Sequence, residues 1–294
     1  MTRKAATLTG FVAVLLWSLL AVLTVLTSPV PPFQLAALTF AVGAMVGLIW
    51  GGMTGTLGLL RTVPLSVYAV GTLGLFGYHA LYFSALRLAP PAEAGLIAYL
   101  WPLLIVLLSG LLPGEVLRRG HVAGAALGFA GAALIILGGR GVAGTGAFVG
   151  YALALLCAFF WSGYSVLSRR FGAVPTVSVT VFCAATAVLS GGVHMVTEVT
   201  IAPTATGWLA IAGLGLGPVG LAFFVWDIGV KRGDIQLLGT ASYAAPVLST
   251  IVLVLAGQSP FTWALAGATL LIVGGAALAA RASAATRVSA PTGG

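Results

Sequence analysis

The feature that most limits what this chain can become is a succession of apolar runs with only short stretches between them. We place them at approximately 7–27, 33–52, 64–86, 91–112, 117–139, 146–168, 175–196, 205–229, 234–256 and 260–281. Helices of about 20 apolar residues suit a hydrocarbon core about 30 Å thick. A helix also satisfies its own backbone donors and acceptors, which lipid cannot do. The runs are continuous and lack the alternation that a barrel strand requires. Their connections are marked by Pro, Gly or charge: Ser28 to Pro32, Pro113-Gly114, Gly138 to Gly146, and Gly257 to Pro260. Of the 294 residues, 60% are hydrophobic and 6% charged, with mean hydropathy +1.14, whereas a soluble domain carries about 25% charge. The expected architecture is an all-α membrane protein of ten transmembrane helices.

A net charge of +8 could signal nucleic acid in a soluble protein, but here the bases lie in short loops and form no basic face. They report topology instead. With the N-terminus inside, Arg3, Lys4, Arg61, Arg118, Arg119, Arg169, Arg170, Lys231, Arg232, Arg281 and Arg287 fall on the cytoplasmic side, and only Arg87 and Arg140 on the other. Both termini are therefore expected in the cytoplasm. The first run follows Arg3 and Lys4 and is longer than a signal-peptide core, with no small-x-small cleavage site, so it reads as an uncleaved span. Cys157 and Cys183 lie within apolar runs and read as buried structural thiols. No cofactor or metal site is expected.

An internal repeat is the second strong signal. An offset of 144 positions relates Trp17-Ser18 to Trp161-Ser162, Pro31 to Pro175, Gly47 to Gly191 and Arg87 to Lys231. It also relates Gly95 to Gly239, Tyr99 to Tyr243, Pro102 to Pro246, and Gly131 to Leu134 with Gly275 to Leu278. We divide the chain into five-helix repeats at 1–140 and 141–283, with a disordered cytoplasmic tail at 284–294. An odd number of spans per unit inverts the second copy, the plan of many secondary transporters with a midplane site between repeats. Gly43, Gly47 and Gly51 on the second run, and Gly120, Gly124 and Gly128 on the fifth, make faces on which helices approach closely.

The candidate binding residues sit at membrane depth. Pro102 and Pro246 cannot donate a backbone hydrogen bond and crowd the carbonyl four residues earlier, Ala98 or Ser242. A carbonyl freed in lipid needs a partner, so each kink is expected to face protein or a cavity. With Gly95 and Gly239 these prolines are the candidate hinges. Trp17, Trp101 and Trp161 fall near mid-membrane, while Trp50, Trp208, Trp226 and Trp263 fall near run ends, where indoles form an interfacial belt. Tyr78 and Tyr82 share one helical face, with His79 beside them. His79 reads either as a neutral interior histidine or as a polar ligand for substrate. Asp227 lies four residues before Lys231 and is expected to form a local ion pair; Glu93 opens the fourth run. Together Trp17, Tyr78, His79, Tyr82, Tyr99, Trp101, Trp161, Ser242 and Tyr243 would line an aromatic chamber. Few polar groups and no mid-membrane charge favour a moderately sized amphipathic solute over an inorganic ion.

An enzyme needs a nucleophile with a nearby base or clustered metal ligands. Neither is found: His121 is placed in a loop, His194 near a run end, and His79 has no acidic partner. A non-transporting membrane scaffold is the remaining alternative class.

The five-plus-five layout, Trp-Ser in the first and sixth runs, and Tyr-x-x-Pro in the fourth and ninth resemble the EamA-type drug/metabolite transporter superfamily. The opening Met1 to Lys4, Tyr99-Leu100-Trp101-Pro102, and Gly239 to Pro246 followed by Val247-Leu248-Ser249 are similar to the bacterial aromatic amino acid exporters within it. The resemblance implies an inner-membrane secondary transporter exporting aromatic amino acids by alternating access, with half-helices bending at Gly and Pro. Other cargo of the superfamily, such as threonine, homoserine or drugs, is the alternative. Proton exchange and facilitated diffusion both stay open.

Overall fold

The computed structural model describes residues 1–89, 91–136, 148–255 and 263–288. The first half of the chain forms α1 (Arg3–Trp17), α2 (Leu20–Val25), α3 (Pro32–Met53), α4 (Leu65–Thr72), α5 (Tyr78–Leu88), α6 (Pro91–Ala98), α7 (Trp101–Ser109) and α8 (Arg119–Ile136). The second half forms α9 (Phe148–Arg170), α10 (Val179–Thr197), α11 (Ala205–Leu216), α12 (Ala222–Arg232), α13 (Ile235–Ala241), α14 (Ala244–Leu255) and α15 (Trp263–Val288). Side-chain caps begin several of them. The Thr2 hydroxyl accepts from Ala5 N–H at 3.2 Å and the Thr204 hydroxyl from Gly207 N–H at 3.0 Å. Pro31 and Pro175, extended residues one repeat apart, precede α3 and the 3₁₀ turn leading into α10.

The 144-residue offset is visible in the backbone as well as in the sequence. A π turn at Leu73–Gly77 joins α4 to α5, and another at Gly217–Leu221 joins α11 to α12, so both ends shift by 144. Helices α5 and α12 keep the same offset at both ends, 78 to 222 and 88 to 232. Packing follows it too. The principal helix contacts are α8 with α15, α3 with α10, α1 with α12, and α5 with α9. Exchanging the repeats maps α1–α12 onto α9–α5 and returns the other two pairs to themselves, as a pseudo-twofold axis requires. Each pair takes one helix from either half, so the repeats interlock.

Glycine makes these contacts close. An added Cβ on Gly124 would overlap the Gly275 carbonyl oxygen, and one on Gly275 would overlap that of Gly124. On the second run, an added Cβ at Gly43 would come within 3.0 Å of the Gly220 Cα in the second π turn. Both small-residue faces are thus used within one chain.

Seven helical segments are long and apolar enough to cross a bilayer among the described residues. They are Arg3–Val25, Pro32–Met53, Leu65–Leu86, Phe148–Arg170, Thr176–Thr197, Ala205–Arg232 and Ala266–Ala285, with a shorter apolar helix at Ile235–Leu248. The expected fourth and fifth runs correspond to α6–α7 and α8. Three local expectations change. His121 lies in the first turn of α8, fully buried between the Arg118 amide and the Ser283 hydroxyl, because the helix starts at Arg119. The last helix continues to Val288, past the tail boundary expected at 284. The helix breaks fall at Tyr99-Leu100 and Ser242-Tyr243, just before the prolines, which sit in the first turns of α7 and α14. Proline is tolerated there because a first-turn N–H has no helical partner to lose. The connections around 138–146 and 257–260, Arg140, and the side chains of Arg87, Glu93 and Arg287 lie outside the described residues.

Gly124→Val is expected to lower the melting temperature of the detergent-solubilised protein, at a cost of about 1–3 kcal/mol for overpacking. Gly163→Ala, where nothing lies within 4 Å of an added Cβ, should leave it unchanged.

Candidate functional site

Two broken helices meet at the centre. α13 crosses α7 at Gly239, where an added Cβ would come within 3.1 Å of both the Pro102 carbonyl oxygen and a Val106 methyl. The missing side chain lets the two interrupted segments touch. The Leu103 N–H lies within the turn that Pro102 disturbs. It donates to the Tyr243 hydroxyl at 3.1 Å, so one Tyr-x-x-Pro segment repairs the other. Tyr243 is fully buried against Phe129, and its ring fills the space left by Gly128. The Ser242 hydroxyl, also fully buried, donates to the Leu238 carbonyl at 2.7 Å within its own helix. The structure therefore gives these two residues backbone partners.

The π turns are likewise completed by rings. A π turn inserts a residue and displaces carbonyls from the regular ladder. The Leu75 carbonyl accepts from His79 Nδ1 at 2.7 Å, and the Pro218 carbonyl from Trp17 Nε1 at 3.1 Å. His79 is enclosed by Phe40, Phe83 and Phe223, the environment of a neutral interior histidine.

Around these breaks four indoles form a cluster in which every pair is in contact. Trp17 lies 5.9 Å from Trp101, 5.8 Å from Trp161 and 5.1 Å from Trp226, measured between ring centroids. Trp101 lies 6.1 Å from Trp161 and 5.9 Å from Trp226, and Trp161 stacks on Trp226 at 6.2 Å. Most pairs are edge-to-face or tilted, each worth about 0.5–1.5 kcal/mol beyond area burial. From this centre two tyrosine arms extend. Tyr78 contacts Trp161 and stacks on Tyr82, while Tyr99 contacts Trp101 and Tyr243.

Exposure is one-sided. Trp101, Trp161 and Trp226 are buried, as are Tyr164, Ser165 and Ser168 further along α9 toward Arg169 and Arg170. Trp17, Tyr78, His79, Tyr82 and Tyr99 are only half-buried. Beside Tyr82, an added Cβ at Gly95 would meet only the Tyr82 Oη, at 3.9 Å. The arrangement offers ring faces and three phenolic hydroxyls but no charge, suited to a planar apolar group bearing a small polar head. Among the described residues no group of three His, Cys, Asp or Glu could hold a metal.

The expected residues Trp17, Tyr78, His79, Tyr82, Tyr99, Trp101 and Trp161 come together. Trp226 does not belong to an interfacial belt: it is fully buried in the indole cluster, and its Nε1 donates to Ser165 Oγ at 3.1 Å. The missed signal was in the repeat, since Trp226 is the 144-residue partner of Tyr82 and Phe223 that of His79. The Asp227–Lys231 pair forms at 2.8 Å, and both thiols are buried and free. Tyr243→Phe should destabilise the protein by about 1–3 kcal/mol, the cost of leaving the Leu103 amide unpaired. The measurement is thermal unfolding in detergent.

The chain matches the EamA-like transporter family twice, over residues 4–137 and 148–281. The two matches stand 144 positions apart. It is 57% identical over 285 residues to the aromatic amino acid exporter YddG of Ancylobacter novellus, covering 95% of this chain and 98% of that one. Against the Escherichia coli protein of the same name it is 25% identical over 293 residues, covering 95% and 97%. A solved crystal structure at 56% identity superposes with a TM-score of 0.91 over 96% of this chain and 99% of the other. The chain belongs to the EamA-like transporter family.

Proposed function

We propose that this protein is an inner-membrane secondary transporter that exports aromatic amino acids by alternating access. The observation that carries the reading is the contacting set of four indoles with half-buried tyrosines along one side. Rings of this kind offer an aromatic side chain stacking and edge contacts comparable to those they make with one another. The hydroxyls of Tyr78, Tyr82 and Tyr99 are the polar groups within reach of a zwitterionic head. The relatives named as aromatic amino acid exporters support the same substrate class.

In this reading ten spans cross the membrane with both termini in the cytoplasm, and the repeats are inverted about an axis in its plane. The site lies where the two Tyr-x-x-Pro breaks touch. α6 and α13 would swing relative to α7 and α14 about those breaks: Gly239 allows close passage beside Pro102, and Gly95 leaves α6 room to move. A backbone already interrupted loses no regular helical hydrogen bond when it bends.

Reconstituted into liposomes, the protein should accelerate movement of radiolabelled tryptophan and phenylalanine over that in empty vesicles. Equal rates with folded protein would overturn the reading, and competition by unlabelled threonine stronger than by tryptophan would move the cargo to another class. Trp101→Ala and Tyr99→Ala should each lower tryptophan flux at least about ten-fold, the effect of losing roughly 1.4 kcal/mol of site energy. Expression measured in parallel separates this from loss of fold.

A further inference from the structure

The contacts at the basic end of the bundle are not part of the aromatic site, and they break the repeat. Glu115, on the connection from α7 to α8, is almost fully buried although it is a carboxylate in a loop. Its two oxygens are taken by different halves of the molecule. Oε2 lies 3.3 Å from Arg3 Nη2 at the start of α1, and Oε1 is paired with Arg169 Nη2 at the end of α9. Arg169 reaches further. Its Nη1 donates to the carbonyls of Val230, Lys231 and Gly233 at 3.3, 3.1 and 2.7 Å, where α12 ends. Arg3 also lies 3.6 Å from Asp234, which caps α13 through Leu237 N–H at 3.0 Å. The Asp234 N–H in turn donates to the Thr7 hydroxyl of α1 at 2.9 Å. One carboxylate thus joins α1, α9, the end of α7 and the α12–α13 corner, drawn from both repeats.

Two identical inverted repeats would give two access states of equal energy, so any preference must come from positions where the repeats differ. The residues 144 positions from Arg3, Glu115, Arg169 and Asp234 are Ala147, Ser259, Val25 and Pro90. None of them can ionise. At the other end of the bundle, Glu198 pairs with His194 at 3.0 Å and accepts from the Phe33 and Gln34 amides.

We propose that Glu115 is the hub of an ionic latch that holds the carrier closed at its basic end and makes the state open at the opposite end the predominant one. The inference rests on the alternating-access reading above. Opening the basic end would part Arg3 and Arg169 from Glu115. Water then solvates the separated charges, so the latch biases the equilibrium without locking it.

The test uses Ser109→Cys as a reporter in lipid nanodiscs. Ser109 is fully buried at the end of α7, directly before the connection that carries Glu115, and its hydroxyl donates to the Val106 carbonyl at 2.7 Å. A membrane-impermeant maleimide should label this cysteine roughly five-fold faster once Glu115→Gln is added, the lower range of measured coupling between states. Glu115→Asp should return most of the protection. Arg3→Gln, at a well-exposed side chain, carries the same test should Glu115→Gln fail to fold. Labelling unchanged in folded Glu115→Gln or Arg3→Gln protein would overturn the latch. Tryptophan flux of the parent in liposomes separates this from the transport reading. Faster labelling with no parental flux supports the latch and removes the transport reading, whereas parental flux with unmoved labelling removes the latch alone.

Discussion

Everything in this molecule depends on the requirement that a backbone group inside a bilayer must find a partner within the protein. A regular helix meets it alone. The interruptions at Tyr99-Leu100 and Ser242-Tyr243, and the π turns at Leu73–Gly77 and Gly217–Leu221, do not. They are tolerated because they are brought together at the core, where side chains of one repeat complete the other. Tyr243 serves the Leu103 amide, and Trp17 serves the Pro218 carbonyl. The groups that complete the irregular backbone are therefore aromatic rings with one polar atom. One of them, Trp17, also belongs to the central indole cluster.

That double use explains the site's chemistry. A centre made of indoles and phenols carries no charge: Trp17 Nε1, Trp226 Nε1 and Tyr243 Oη have hydrogen-bond partners, and ring edges meet ring faces. It leaves little to bind an inorganic ion and much to bind an aromatic solute. On one side of the cluster, partly exposed Tyr78, Tyr82 and Tyr99 lie beside buried Trp101 and Trp161. On the other side, α9 continues through buried Tyr164 and Ser165 to the Arg169 network.

Symmetry and its violation divide the labour. Pseudo-twofold packing of α1 with α12, α5 with α9, α3 with α10 and α8 with α15 interlocks the halves. Glycine contacts such as Gly124 against Gly275 let the last pair approach without polar groups. The charges of Arg3, Glu115, Arg169 and Asp234, by contrast, gather at one end, and none of the residues 144 positions from them can ionise.

Hydropathy alone established the helical class and the positions of the apolar runs, because lipid leaves a spanning chain few choices. The constant offset of 144 established the two-repeat plan and pointed to Tyr99, Trp101, Pro102 and their partners, because a duplicated fold keeps the residues that repair its own breaks. The location of each break two or three residues before its proline, and the backbone role of Ser242 and Tyr243, were decided by tertiary contacts between α13 and α7 that no local pattern encodes. Trp226 shows the same limit. Its position near a run end resembles an interfacial indole, and only the packing of α12 against α1 and α9 carries it to the centre. Glu115 is the extreme case: a loop carboxylate reads as solvent-exposed, and it is the convergence of Arg3 and Arg169 from distant parts of the chain that buries it.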